Sequence, residues 1–394
     1  MKKNKYALVL SGGGFKGAFQ AGAIKYMQEN WQVITGETTP MKFDIVAGVS
    51  VGSLNGALVA MDKPDVMVDL WNRVGENIEE IYTSDFIDTK AKGDKLKVKV
   101  DMKKLKQKFL PEFDPELGFW EIVGAILSKE KQEKLIGQIL GKMGEQVKKN
   151  LSGFKAIADN KPLHKLLTQY LDLQKIPDGT TFLCGSVSLT NGGYYCHVHT
   201  DFNDNREFVK AVLASTVMPI VWEPVESVTS KYDKATYLVD GGLRNVSPLS
   251  DVIDLIHADK EDASYRIFII NCNAGKVELR QHPEKMNIAE IALRSINDIA
   301  LTEIFNNDLS DFVRINDLMK QTLEQNIDVD LKNYNYYKGE RTDDSLKYFD
   351  SCIIQPDLSA LGDTLVAHPA LIEKRMKHGW EKAKGAFASV ECQI

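Results

Sequence analysis

At 394 residues the chain has room for one large domain or two ordinary ones, taking about 150 residues per domain. Its 43% apolar and 26% charged content is that of a globular protein with a substantial core. The net charge of −6 argues against a nucleic-acid partner and leaves room only for a local basic patch.

The N-terminus Met1–Lys5 is basic, but the apolar run after it, Tyr6–Leu10, is too short for a signal-peptide core and ends in glycines. It reads as the first strand. Ser11–Gly17 is a loop, and Ala18–Glu29 a helix with an apolar stripe through Ala21, Ile24 and Met27. Phe43–Ala47 reads as a buried strand and Ser53–Ala60 as the helix after it. Strand and helix alternate, and the strands are apolar throughout. This predicts parallel strands covered by helices on both faces, a three-layer α/β/α fold with a largely parallel central sheet.

The texture changes from about residue 65. Val66–Val74 looks helical, and Lys90–Lys108 then holds nine lysines against two aspartates. The apolar stretch Leu117–Leu127 and Lys- and Glu-rich helical sequence follow, to Asn150. Residues 75–165 are therefore read as a basic helical insertion, either a solvated face or a dock for anionic lipid. The α/β texture resumes with strands at Thr181–Ser188 and Gly193–His199, a helix at Arg206–Ser215 and a strand at Thr236–Val239. Tyr265–Cys272 is another strand and Ile288–Leu318 a long amphipathic helix or a pair of them. Cys352–Gln355 is a late strand and Pro369–Phe387 a final helix. Repeats and low-complexity linkers are absent, which favours one domain over 1–394, with a C-terminal helical part, 280–394, completing the core.

Five cysteines (Cys184, Cys196, Cys272, Cys352 and Cys392) are scattered, odd in number and form no C-x-x-C pair. Cys184, Cys272 and Cys352 lie in apolar runs and read as small core residues. This usage points to a reducing, cytoplasmic compartment. No stretch approaches the roughly 18 apolar residues of a membrane span, so membrane contact is expected to be peripheral. His197 and His199 alternate onto one strand face, but no third metal ligand is evident. An ordinary strand with polar outer residues is expected there.

Two motifs carry chemistry. Gly48-Val49-Ser50-Val51-Gly52 lies between strand and helix, the pattern of a nucleophile elbow. Its flanking glycines remove side chains from a tight turn, and the serine hydroxyl stands beside a helix N-terminus that favours negative charge. A bland alternative is a Gly-rich turn with a capping serine. Gly12-Gly13-Gly14-Phe15-Lys16-Gly17 satisfies the dinucleotide pattern G-x-G-x-x-G. The acidic residue that reading requires, Glu37, sits in a loop rather than at a strand end. The other reading is an oxyanion hole, in which consecutive glycines expose backbone N–H groups and Lys16 adds positive potential. A third group must serve as base. No histidine after Asp240 sits in an obvious strand-end loop, whereas Asp240 itself ends a strand and precedes two glycines. A buried carboxylate within reach of the hydroxyl can take its proton.

Taken together, Gly12–Gly17, Gly48–Gly52 and Asp240–Gly242 resemble, in order, the G-G-G-x-[RK]-G loop, G-x-S-x-G serine and D-G-[GA] aspartate of the patatin-like phospholipases. Ala214–Pro219, Trp222–Pro224, Asn245 and Pro248 are similar to the family's neighbouring segments. The basic insertion is outside the resemblance. The resemblance implies a Ser–Asp dyad with no metal and no cofactor: Ser50 as nucleophile, Asp240 as base, Gly12, Gly13, Gly14 and Lys16 in the oxyanion loop. It also implies a phospholipid or lysophospholipid substrate. A homo-oligomer is left open. An acyltransferase or general esterase on the same dyad, and a silent lipid-binding regulator, are the rival expectations.

Overall fold

The first strand loads both faces of a sheet, because its apolar residues alternate without interruption: Tyr6, Leu8 and Leu10 point one way, Ala7 and Val9 the other. Such a strand has to be central. The computed structural model describes residues 3–87, 101, 103–104, 155–277, 279–286, 291–292, 294–327, 332–335, 340–389 and 392. In it β1 (Lys3–Leu10) lies between β2 (Ile45–Val49) and β7 (Ala263–Ile270), parallel to both. The helices between them are α1 (Ala18–Thr35), α2 (Val51–Ala60), α3 (Pro64–Glu76), α4 (Lys161–Tyr170), α5 (Asn205–Ser215) and α6 (Leu249–Ala258). The intervening strands are β3 (Thr181–Ser188), β4 (Tyr194–Val198), β5 (Val225–Thr229) and β6 (Lys234–Asp240). After β7 come α7 (Leu301–Glu324), a small hairpin of β8 (Lys332–Asn335) and β9 (Glu340–Ser345), β10 (Asp350–Ile354) and α8 (Pro369–Ala388).

The described residues form an eight-stranded sheet in the order β10-β7-β1-β2-β3-β6-β5, with β4 also on β3. Strands β10, β7, β1, β2 and β3 are parallel, whereas β6, β5 and β4 join antiparallel. One face packs Leu8, Val46, Phe182 and Phe268 under α1, α2, α5 and α8. The other packs Val9, Ala47, Leu183 and Ile269 under α6 and α7, through Val252, Ile256 and Phe312. Each such side chain fully buried contributes roughly 1.5–3 kcal/mol of transfer free energy. The fold is thus three-layer α/β/α with a largely parallel sheet, as the strand–helix alternation predicts.

Several local expectations change. The helix at 66–74 extends to Pro64–Glu76, because Pro64 sits at its first turn, where its missing N–H costs nothing. Within 288–318 the described residues include a π-helical turn, Arg294–Ala300, running into α7. The 280–394 part holds strands as well as helices, and β10 extends the sheet beside β7. Cys352 is buried as expected but is not a free thiol: it is bonded to Cys392, across a separation of 40 that spacing alone cannot reveal. His197 is buried rather than outward-facing and hydrogen-bonds Ser186 at 2.7 Å. His199 falls past the end of β4, and its Nδ1 accepts the Phe182 N–H. Among the described residues no His/Cys/Asp/Glu cluster suits a metal ion. None of the described helices is long and apolar enough to cross a membrane. The Lys90–Lys108 run and the Leu117–Leu127 stretch lie almost entirely outside the described residues. The chain leaves and re-enters that segment at adjacent points, for Thr83 pairs antiparallel with Asp159 and Ser84 Oγ donates to Ile157 O.

Candidate active site

Two strands meet end to end beside β3. In register, β2 runs alongside β3 until Val49 lies opposite Gly185. From the other direction β6 runs antiparallel until Asp240 lies opposite Ser186, the next position. Strand β4 overlaps both registers and so occupies the other edge of β3. The edge facing β2 therefore carries β2 and β6 head to head, and the residues where they stop are Ser50 and Asp240. Sheet topology, not local sequence, brings these two together from 190 positions apart.

Ser50 has φ 56° and ψ −130°, a conformation in which an L-residue stores about 1–3 kcal/mol of strain. The flanking glycines make the turn possible. A Cβ on Gly48 would collide with Gly52 O, and one on Gly52 with Leu10 O. The Ser50 N–H donates to Ser215 Oγ at 3.0 Å, and its carbonyl accepts from Ser53 Oγ at 2.6 Å. Its own hydroxyl makes no capping bond to α2, so the capping-serine alternative does not describe this residue. It lies close enough to the Asp240 carboxyl to favour its charged form. That carboxyl accepts the Gly242 N–H at 2.8 Å through Oδ1. Both side chains are buried. Burial lifts the Asp240 pKa from 3.8 to about 6, against the pull of the nearby Ser50 hydroxyl and the Gly242 N–H. No histidine hydrogen-bonds either residue among the described residues.

The glycine loop arches over Ser50. Gly12 is close enough that a Cβ on it would sit 3.1 Å from Ser50 Cβ. The expectation for this loop narrows, however. The Gly12 N–H already donates to Val246 O at 3.1 Å and the Phe15 N–H to Thr364 O at 2.9 Å. Those of Gly13 and Gly14 have no acceptor among the described residues, so they are the donors open to a ligand. Lys16 does not face Ser50. Its side chain lines a separate polar cavity on the far side of the loop. On the near side Ser50 opens into an apolar cavity of about 100 Å³ between α2, α3 and α4, lined by Phe15, Leu54, Leu58, Trp71 and Leu167 among others.

Residues that the sequence did not single out hold this loop. Gln20, fully buried on α1, donates from Nε2 to Ser11 O (2.8 Å) and Ile270 O (3.2 Å). Asn55 on α2 donates to Gly17 O (3.0 Å) and Gln20 Oε1 (2.9 Å) and accepts from Trp71 Nε1 (2.9 Å). The pair thus grips both ends of the glycine loop. From α8 the fully buried Arg375 donates to the carbonyls of Phe15, Leu361, Asp363 and Val366. From α7 Asp308 lies near the Val246 and Ser247 N–H groups, beside the carbonyl that holds Gly12. Glutamine, asparagine or arginine in a helix carries no such signal in sequence.

A family model described as patatin-like phospholipase matches residues 8–253. No curated protein matches. Among solved structures, VipD from Legionella pneumophila is 13% identical, with 98% of this chain and 66% of that one covered and a TM-score of 0.37. The ExoU–SpcU complex of the Pseudomonas aeruginosa type III secretion system gives 16% identity, 79% and 52% coverage and a TM-score of 0.24. The chain therefore spans two thirds or less of the solved chains it matches.

Proposed function

The chain belongs to the patatin-like phospholipase family, and on that premise we propose that it hydrolyses acyl esters of phospholipids or lysophospholipids with Ser50 as nucleophile and Asp240 as base. The observation that carries the proposal is the meeting of Ser50 and Asp240 at the abutting ends of β2 and β6, both buried, with the carboxyl pKa lifted to about 6. A carboxylate so raised is ionised at neutral pH yet basic enough to take a proton in the transition state.

In the proposed cycle, Ser50 Oγ attacks the ester carbonyl as Asp240 takes its proton. The carbonyl oxygen becomes an oxyanion facing the Gly13 and Gly14 amides, and each such donor is worth roughly 2.7–4 kcal/mol in the transition state. The C–O bond to the alcohol breaks, and Asp240 returns the proton to the leaving oxygen. Water then gives its proton to Asp240 and attacks the acyl-serine, releasing the fatty acid and restoring Ser50. The apolar cavity beside Ser50 would hold the acyl chain next to the ester. Residues 1–394 are proposed as one catalytic domain that meets membranes peripherally, the 75–165 segment being its dock.

The test is hydrolysis of p-nitrophenyl butyrate and of phospholipid vesicles by wild type, Ser50→Ala and Asp240→Asn. Loss of activity in both variants with folding intact supports the dyad. Activity surviving in Asp240→Asn places the base elsewhere. An acyl product on an added alcohol rather than free fatty acid makes the protein an acyltransferase.

A further inference from the structure

Behind the glycine loop lies a second cavity of about 450 Å³. Its character is opposite to that of the first. Lys16, Lys276, Arg280 and Arg294 line it, with Asp298, Asp357 and Asp363. The acids are engaged: Asp298 with Arg294 at 3.2 Å, Asp357 with Lys382 at 2.9 Å, and Asp363 with the Leu365 N–H at 2.9 Å. Lys16, Lys276 and Arg280 make no ion pair among the described residues. Four cations against three acids leave the lining net positive, and Lys16 and Arg280 are half-buried in it, which favours an anion there.

The wall between the cavities is the Gly13–Gly14 turn itself. A Cβ on Gly13 would collide with Cys272, which lines the polar cavity, whereas Gly14 lines the apolar one. Thr364 and Leu365 are divided in the same way, Thr364 to the polar side and Leu365 to the apolar. An ester whose carbonyl faces these amides would have its acyl chain on one side and its alcohol on the other. In a glycerophospholipid the alcohol carries a phosphate only a few bonds from the ester oxygen.

We propose that the cavity lined by Lys16, Lys276 and Arg280 is a phosphate seat, filled by the phosphodiester of the lipid being cleaved. This rests on the hydrolase reading for its occupant but not for its chemistry. Arg280 supplies a guanidinium fork suited to two phosphate oxygens, and the lysines supply point charges. A free phosphate ion would satisfy the same groups.

The test has two arms. In the first, calorimetry titrates Ser50→Ala protein with glycerophosphocholine and, separately, with inorganic phosphate, with and without the added pair Lys276→Gln and Arg280→Gln. Binding that the pair weakens about tenfold or more supports the seat. In the second, kcat/KM on phosphatidylcholine vesicles is divided by kcat/KM on p-nitrophenyl butyrate, which has no phosphate. The pair should lower that ratio about tenfold, mainly through KM, and the charge-keeping pair Lys276→Arg and Arg280→Lys should recover most of it. Phosphate binding lost in the variant with an unchanged ratio would keep the seat and make free phosphate its occupant. No binding of either ligand by a folded protein, with no change in the ratio, would overturn the proposal. A wild type that cleaves no ester would defeat the hydrolase reading alone, since the calorimetric arm still decides the seat.

Discussion

Replacing Asp240 with asparagine should separate what the carboxylate costs the fold from what it does for the reaction. Burial raises this pKa from 3.8 to about 6. At about 1.4 kcal/mol per pKa unit, ionising the carboxyl inside the fold costs about 3 kcal/mol more than ionising it in the unfolded chain. The folded value lies above the unfolded one, so the penalty is absent below about pH 4, grows as pH rises toward 6 and is constant above about 7. Asp240→Asn keeps an oxygen to accept the Gly242 N–H and carries no charge. Urea unfolding should find the variant more stable than wild type by about 3 kcal/mol at pH 8 and by about half that at pH 5. Its esterase activity should fall by about 10²–10⁴. A stability gap that is the same at both pH values, or a variant less stable than wild type at pH 8, would refute the burial argument.

Three further outcomes follow from the same geometry. The kcat/KM for a neutral ester should rise with pH through an apparent pKa of about 6, so that activity at pH 5 is about a tenth of the plateau; a pH profile flat from 5 to 8 would remove Asp240 as the titrating base. Ser50→Gly should be more stable than Ser50→Ala by about 1 kcal/mol, because only glycine relieves φ 56°, and glycine's extra unfolded-state entropy offsets part of the gain. Denaturation midpoints at constant m would check this, and an alanine variant as stable as the glycine one would count against strain at this position. Arg375→Met should cost more than about 3 kcal/mol, since it leaves four backbone carbonyls without their donor. A loss under 1 kcal/mol by thermal or chemical unfolding would mean that these carbonyls find other partners.

The layers of the fold were legible in sequence because burial on both faces leaves an unbroken apolar run, as in Tyr6–Leu10 and Tyr265–Cys272. The elbow was legible because its glycines answer to a local clash: a Cβ at 48 would meet backbone four or five residues on, and one at 52 the end of the adjacent strand. What the sequence could not show was set by long-range register. The antiparallel entry of β6 is what points Asp240 at Ser50, and nothing in Thr236–Asp240 states its direction. The expected histidine face failed for a similar reason: β4 stops at Val198, so His197 and His199 end in different environments. Lys16 was read as part of the loop beside Ser50 because it is near in sequence. Its side chain leaves on the far side, where the turn Gly14–Gly17 directs it.

The site combines two local costs, a strained serine and a buried carboxylate, and the surrounding structure has to offset both. The glycine loop is too poor in side chains to hold itself, and its Gly13 and Gly14 amides have no acceptor among the described residues. Its position therefore comes from outside it: Gln20 and Asn55 from the helices that follow β1 and β2, and Arg375 from α8. One of these three, Arg375, lies beyond residue 253, where the family match ends. The C-terminal part thus reaches the loop directly, through the Arg375 guanidinium and the Thr364 carbonyl. Cutting the chain at 253 would remove β7 and β10 from the sheet together with Arg375 and Thr364, which leaves the glycine loop without its C-terminal contacts even where Ser50 and Asp240 remain in register.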